Sequence, residues 1–414
     1  MRVDMVRARV LLALIGGNAG ANLVYLISLF VLGTVLNGVE FGHFRVAYAY
    51  LSIGTAIAML GMNTSITKRL PNLSISQKHG VVLFSVLVSL CSAILVGLVI
   101  YALIPVTYIS IFNVEGGLYF LSFPVAVAGA VLCHITLAVL QAENKLLAYS
   151  RFQLQWRSIL FLFAVVGGFL FKASYVLIFM SFSYVVVFFL LHNNLHDVLF
   201  AEQAKSRPDW TAVPATVRGA VWPLAAICVS TFYSSAEFLY IKPSDISTGI
   251  AGSYSLASLI FIGGAAFFFP FQTYAVSQVV TGKIGLNGLL KLQLICFIFV
   301  SMLAGASIFG SEILAYLDPK KFNANFLDFS QLVAIKLVLW GMYAVTGSVL
   351  NFIGKEFESF LLSVIGLAVL ILAPSLLNLA GELREIVILQ ILTGIILLLG
   401  STVLTIHGFL KKRS

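Results

Sequence analysis

The chain has 414 residues, of which 60% are hydrophobic and 10% charged, with a formal net charge of +9 and a mean hydropathy of +1.03. A soluble domain is about 25% charged, so folding this chain in water would leave large apolar areas exposed, and most of it is expected to sit in lipid. The positive charges are scattered singly between apolar runs, which argues for a membrane protein rather than a nucleic-acid binder.

Met1 to Arg9 is a short basic stretch, and the apolar run after it is longer than a signal-peptide core and lacks a convincing cleavage site. It reads as the first retained helix. A helix needs about 20 apolar residues to cross the hydrocarbon. Such runs lie near 10–36, 46–66, 81–104, 118–140, 154–171 and 173–191, and again near 219–240, 253–276, 289–310, 329–351, 359–380 and 386–407. The fifth is the weakest, because only Ser158 to Phe171 is free of charge before Lys172. The fold class expected is an all-α membrane protein of about 12 transmembrane helices, give or take one, in two pseudo-symmetric six-helix lobes.

Lys and Arg in the connecting segments divide eighteen against six, with Lys336 left inside a span. The poorer side holds Arg45, Lys172, Lys242, Lys320, Lys321 and Arg384. The richer side is expected to be cytoplasmic, and it includes both termini. The longest link, His192 to Arg218, is polar and carries Pro208 and Pro214. The expected organisation is an N-terminal lobe at 1–192, a cytoplasmic linker at 193–218 and a C-terminal lobe at 219–414.

The halves match at a fixed offset. Gly42-His43-Phe44-Arg45-Val46-Ala47 answers Gly252-Ser253-Tyr254-Ser255-Leu256-Ala257 at a shift of 210. Val139-Leu140-Gln141 with Lys145 answers Val349-Leu350-Asn351 with Lys355 at the same shift. An even number of spans per half makes the repeats parallel, about an axis along the membrane normal. The four cysteines, Cys91, Cys133, Cys228 and Cys296, lie in apolar runs without metal or redox spacing and read as buried structural thiols.

At these motifs the chain resembles the O-antigen and polysaccharide flippases of the multidrug/oligosaccharidyl-lipid/polysaccharide exporter (MOP) superfamily. The similar segments are Leu36 to Phe44, the Gln141-Ala142-Glu143-Asn144-Lys145 end of span 4, and Gly249 to Leu256. The resemblance implies two six-helix lobes and a bacterial inner-membrane location. It also implies a cargo of undecaprenyl-pyrophosphate-linked glycan, moved from the cytoplasmic to the periplasmic leaflet, with a polysaccharide polymerase and a chain-length regulator as protein partners. The motif residues themselves read mainly as fold-determining, with Gly42 and Gly252 at helix starts and Glu143 and Lys145 at a helix end facing water.

Charges inside the membrane are functional candidates by default. Lys336 lies inside span 10, where it would face a cavity and meet pyrophosphate or sugar hydroxyls; the alternative is a lysine that snorkels to the interface. Arg45 stands at the outer mouth of span 2, as a phosphate contact or a helix anchor. Arg157, with Arg151 and Gln155, opens span 5, where substrate would enter, although the positive-inside rule accounts for it equally. Glu237 late in span 7 and His134 in span 4 are candidates for a coupling ion, against an interfacial pair with Lys242 and a structural hydrogen bond respectively. Asn18 and Asn22 share one face of span 1. Pro124, Pro223, Pro270 and Pro374 fall in or near spans, as bends or static kinks.

There is no Walker-type loop, no HExxH and no GxSxG, so a secondary-type transporter is expected rather than an enzyme, with no cofactor and no metal. The nearest rival is a multidrug exporter of the same superfamily, whose organic cations would call for buried acids that the first six spans lack. A lipid II flippase of this type would have two further helices. A membrane polysaccharide polymerase would have a larger outer loop than Ser311 to Asp328.

Overall fold

A computed structural model describes residues 17, 20–33, 35–36, 38–103, 116–171, 173–190, 207–234, 250–319, 322–376 and 382–411. Regular structure among them is helical. In lipid no water is available to hydrogen-bond a free backbone group, so each span closes its own hydrogen bonds. All twelve expected spans have a helix in place: α1 Gly20–Gly33, α2 Gly38–Ala58 with the short α3 Met62–Arg69, α4 Ile75–Leu103, α5 Gly116–Ala142, α6 Leu146–Phe171, α7 Ala173–Leu190, α8 Val213–Ser234, α9 Ile250–Val280, α10 Leu286–Leu317, α11 Ala324–Leu350, α12 Glu356–Leu376 and α13 Leu383–Lys411.

Eight of these are long and apolar enough to cross a bilayer, and a bent pair within α2 and α3 makes a ninth crossing. Shorter apolar helices fill the other three places. Large side chains such as Phe169, Phe189, Met302, Leu399 and Val403 are exposed along the helices. In water such a surface would aggregate; here it is the lipid-facing surface of a multi-pass membrane protein.

The chain forms two compact units, Ile27–Cys228 and Met1–Leu26 with Val229–Ser414. Within the first, α5 packs on α2, α4 and α7, and α7 on α6. Within the second, α11 packs on α9, α10 and α13, and α13 on α12. The scheme is the same in both. The helix starts keep the sequence offset, with Leu146 and Glu356 210 apart and Ala173 and Leu383 also 210 apart.

The turn at the shared motif repeats down to its backbone bonds. Lys145 N–H donates to the Leu140 carbonyl at 2.8 Å, and Lys355 N–H to the Leu350 carbonyl at 3.1 Å. Asn144 (φ 56°) and Gly354 (φ 82°) hold the left-handed position that such a helix end requires. Each lysine then pairs locally, Lys145 with Glu143 at 2.7 Å and Lys355 with Glu358 at 2.6 Å. Lys145 is half exposed and Glu143 largely covered.

One feature is not repeated. Span 2 is broken between α2 and α3, and its two parts meet at a bend of 47°. Leu60 (φ 49°) and Gly61 (φ 69°) are both left-handed there. Tight bonds carry the backbone through the joint, Leu60 N–H to the Ile57 carbonyl at 3.0 Å and Met62 N–H to the Met59 carbonyl at 2.9 Å. A Cβ on Gly61 would lie 2.4 Å from the Ala220 carbonyl oxygen of α8 and 2.8 Å from the Leu224 nitrogen. Pro124, Pro223, Pro270 and Pro374 all lie inside helices, α5, α8, α9 and α12 respectively.

Among the cysteines, Cys133 and Cys296 are buried as expected and Cys228 is partly covered, but Cys91 is exposed on α4. It lies on a face that the sequence pattern could not distinguish from the core, because both are apolar.

Alanine at Gly61 is expected to lower the thermal stability of the detergent-purified protein more than alanine at Gly354. Both changes incur the left-handed backbone cost of about 1–2 kcal/mol. Only the first adds a clash, since Gly354 faces open space. Equal shifts in melting temperature would contradict the packing of the joint against α8.

Candidate functional site

The unit Ile27–Cys228 contains a cavity of about 310 Å³ among α2, α3, α5, α6, α7 and α8. Its α2 wall is Tyr48, Ser52, Thr55 and Met59, spaced as one helical face. Asn63 comes from just beyond the broken joint, His134 from α5, Trp156 and Arg157 from α6, and Tyr184 from α7.

Hydrogen bonds within the walls decide what each group can offer. Ser52 donates to the Tyr48 carbonyl at 3.0 Å and Thr55 to the Leu51 carbonyl at 2.8 Å, so their oxygens remain as acceptors. Asn63 Oδ1 accepts from Thr64 N–H at 2.9 Å, which leaves its Nδ2 to donate. Trp156 is 4% exposed, and its buried indole Nε1–H lies beside Tyr184. Its ring meets His134 edge-on at 5.2 Å between centroids and Tyr184 at 6.5 Å. With the Arg157 guanidinium, the cavity presents a cation and further N–H donors.

Among the described residues no carboxylate lines it. Among the described side chains of this unit the acids are Glu143, at the end of α5, and Asp209, before α8. Asp209 is exposed and accepts from Thr211 N–H at 2.9 Å, a bond that draws its pKa down.

Arg157 lies within α6 rather than at its first turn. Span 5 starts at Leu146 rather than near 154, so Arg157 lies eleven residues along α6, about 16 Å at 1.5 Å per residue. His134 and Arg157 are thus brought to one cavity. Arg45 lies on α2 three residues before Tyr48, and its side chain is outside the described residues, as are Glu237 and Asn18. Asn22 is buried in α1.

Lys336 belongs to the other unit. It is twelve residues into α11, about 18 Å along the helix, and 2% exposed. It does not snorkel. Its Nζ donates to Gln390 Oε1 of α13 at 2.7 Å and stands 5.0 Å over the Phe261 ring of α9. Trp340 packs edge-on against the same ring at 5.9 Å. Further along the α11–α13 seam, Thr346 and Ser401 hydroxyls meet at 2.9 Å, and Gln293 of α10 donates to Thr402 at 3.4 Å. Hydrogen bonds of this kind join membrane helices.

Sequence reasoning did not identify Tyr48, Ser52, Asn63, Trp156 or Tyr184 in the first unit, nor Gln390 and Phe261 around Lys336. The Tyr48, Ser52, Thr55 stripe carried a signal, as polar groups at helical spacing in an apolar run. Gln390 carried none, since its role depends on two helices meeting.

No protein-family model matches the sequence, and no curated protein matches it. Solved structures of MATE transporters share its fold over nearly the whole length. The eukaryotic MATE transporter AtDTX14 superposes with a TM-score of 0.65 at 14% identity, covering 98% of this chain and 96% of the other. The Vibrio cholerae MATE transporter VcmN in its bent form gives 0.65 at 14% identity, covering 99% of both chains. An outward-facing multidrug resistance MATE family transporter of the MOP superfamily gives 0.65 at 14%, covering 98% of this chain and 95% of the other. The chain therefore has the MATE fold.

The Lys336–Gln390 bond can be tested by a double-mutant cycle of Lys336→Met and Gln390→Leu, read by thermal unfolding. Each single change strands a buried polar partner, at about 1–3 kcal/mol. The double variant is expected to lose less than the sum of the two. Additive losses would show that the two side chains do not interact.

Proposed function

We propose that this chain is a secondary transporter of the MOP superfamily that works by alternating access. Its cargo is undecaprenyl-pyrophosphate-linked oligosaccharide, carried from the cytoplasmic to the periplasmic leaflet of a bacterial inner membrane. The MATE fold supports the transporter class. The observation that carries the choice of cargo is the cavity of the 27–228 unit, with Arg157 and the Trp156 indole in its lining and, among the described residues, no carboxylate. Such a cavity favours an anionic, hydroxyl-rich head and disfavours an organic cation.

In this reading Arg157, Arg45 and Lys336 bind the head group, while His134 and Glu237 serve the coupling ion. Residues 193–218 link the two lobes on the cytoplasmic side, and both termini are cytoplasmic. Lys336→Ala is expected to impair export per molecule of protein in the membrane, with Lys336→Arg retaining more activity.

A multidrug exporter is the second reading. The fold comparisons favour it over the flippase, because a multidrug resistance transporter shares this fold. The two diverge when the protein is depleted in a controlled way. A flippase defect strands completed lipid-linked units on the cytoplasmic leaflet and removes surface glycan. A drug-exporter defect leaves glycan intact and raises sensitivity to organic cations. Unchanged surface glycan, with no redundant transporter, would refute the flippase reading.

The orientation has its own check. In a cysteine-free background, a cysteine at Asn287, beside Lys283 and Lys291, is expected to resist membrane-impermeant thiol reagents in intact cells. One at Asn325, at the other end of the next span, is expected to label. The reverse pattern would invert the topology.

A further inference from the structure

A second cavity in the 27–228 unit, of about 360 Å³, lies on α4, α5 and α7. Ile94, Val125, Leu132, Val185 and Phe188 line it, and it is apolar almost throughout. Four of these are open at the surface: Ile94 is 52% exposed, Val125 41%, Val185 38% and Phe188 45%. In a membrane-spanning unit that opening faces hydrocarbon.

The groove and the polar cavity share a wall. Tyr184 lines both, and it is buried at 6% exposure. On α5 the two surfaces alternate residue by residue, with Gly129 and Cys133 on the groove and Ala130 and His134 on the cavity. Tyr184 fits against α5 because residue 129 lacks a side chain; a Cβ there would come within 2.4 Å of Tyr184 Cβ and Cγ. Tyr184 and α5 therefore form the wall between them.

We infer that this groove seats the polyprenyl chain of a lipid-linked cargo whose phosphate-bearing head occupies the neighbouring cavity, with Tyr184 as the partition at which the two parts join. The inference rests on the flippase reading. An apolar groove alone would accept any acyl chain of the bilayer. What selects the cargo's own chain is the shared wall, since an anionic amphiphile needs an apolar seat next to N–H donors and a cation. The phosphates would meet Arg157 and Trp156, and the chain would leave past Tyr184 into the groove without its charge crossing lipid.

The test uses full-length protein in lipid nanodiscs and two photoreactive pyrophosphates, one with a long polyprenyl chain activated at mid-chain and one with a single isoprene unit. The long probe is expected to label the α5 and α7 segments at 124–132 and 184–188. That labelling is expected to be lost on adding unlabelled undecaprenyl pyrophosphate and to persist in excess phosphatidylglycerol. The short probe is expected to label α6 around Trp156 and Arg157. Groove labelling lost equally to phosphatidylglycerol would mean that the groove holds bulk lipid. Long-chain labelling on other exposed faces, such as Leu294 and Met302 of α10, would also overturn the inference, and the flippase reading would stand if the short probe still found the cavity. Failure of the short probe to label the cavity would remove both.

Discussion

Hydrocarbon offers no partner to an N–H or a carbonyl, and each such group left open costs several kcal/mol. The described architecture follows from that constraint. Spans are helical because a helix closes its own bonds. Hydroxyls turn inward for the same reason: Thr136, Ser307 and Ser363 each donate to a carbonyl four residues back in their own helix. Helix ends are closed by backbone bonds, as at Leu140 and Leu350. Even the broken span keeps tight bonds through Leu60 and Met62, and it lies where α8 covers it and the polar cavity begins.

The same cost governs the embedded charges. Lys336 donates to an amide oxygen and stands over an aromatic face, and both disperse its charge. Arg157 lies in a cavity whose other groups are N–H donors, hydroxyls and aromatic edges. Both cations lie well inside their helices rather than at the first turn. Lipid makes such positions costly, and the packed units provide the polar surroundings that lower that cost.

Hydropathy made the frame legible. Twelve apolar runs became twelve helical positions, and two short matches at an offset of 210 became equivalent turns with equivalent bonds. Lys336 stood out as a lone charge inside a span. Arg157 was expected at the opening of span 5, near 154, whereas the helix that carries it begins at Leu146, about two turns earlier. The sharp bend at Leu60 and Gly61 had no proline to announce it, and Pro124, Pro223, Pro270 and Pro374 sit within helices. The Trp156, His134 and Tyr184 cluster joins three helices, and that kind of proximity has no signature in one sequence.

The repeated frame has a consequence for inheritance. In the 210-residue register Lys336 corresponds to Ala126, Arg157 to Leu367 and His134 to Ala344. The bonds that close the equivalent turns involve backbone atoms, and none of these six side chains contributes to them. Duplication thus supplied two copies of a scaffold and allowed each to be equipped separately. A lineage could change the ionic character of one half while the other kept its own. Across distant descendants, folding and cargo choice would then be under separate selection.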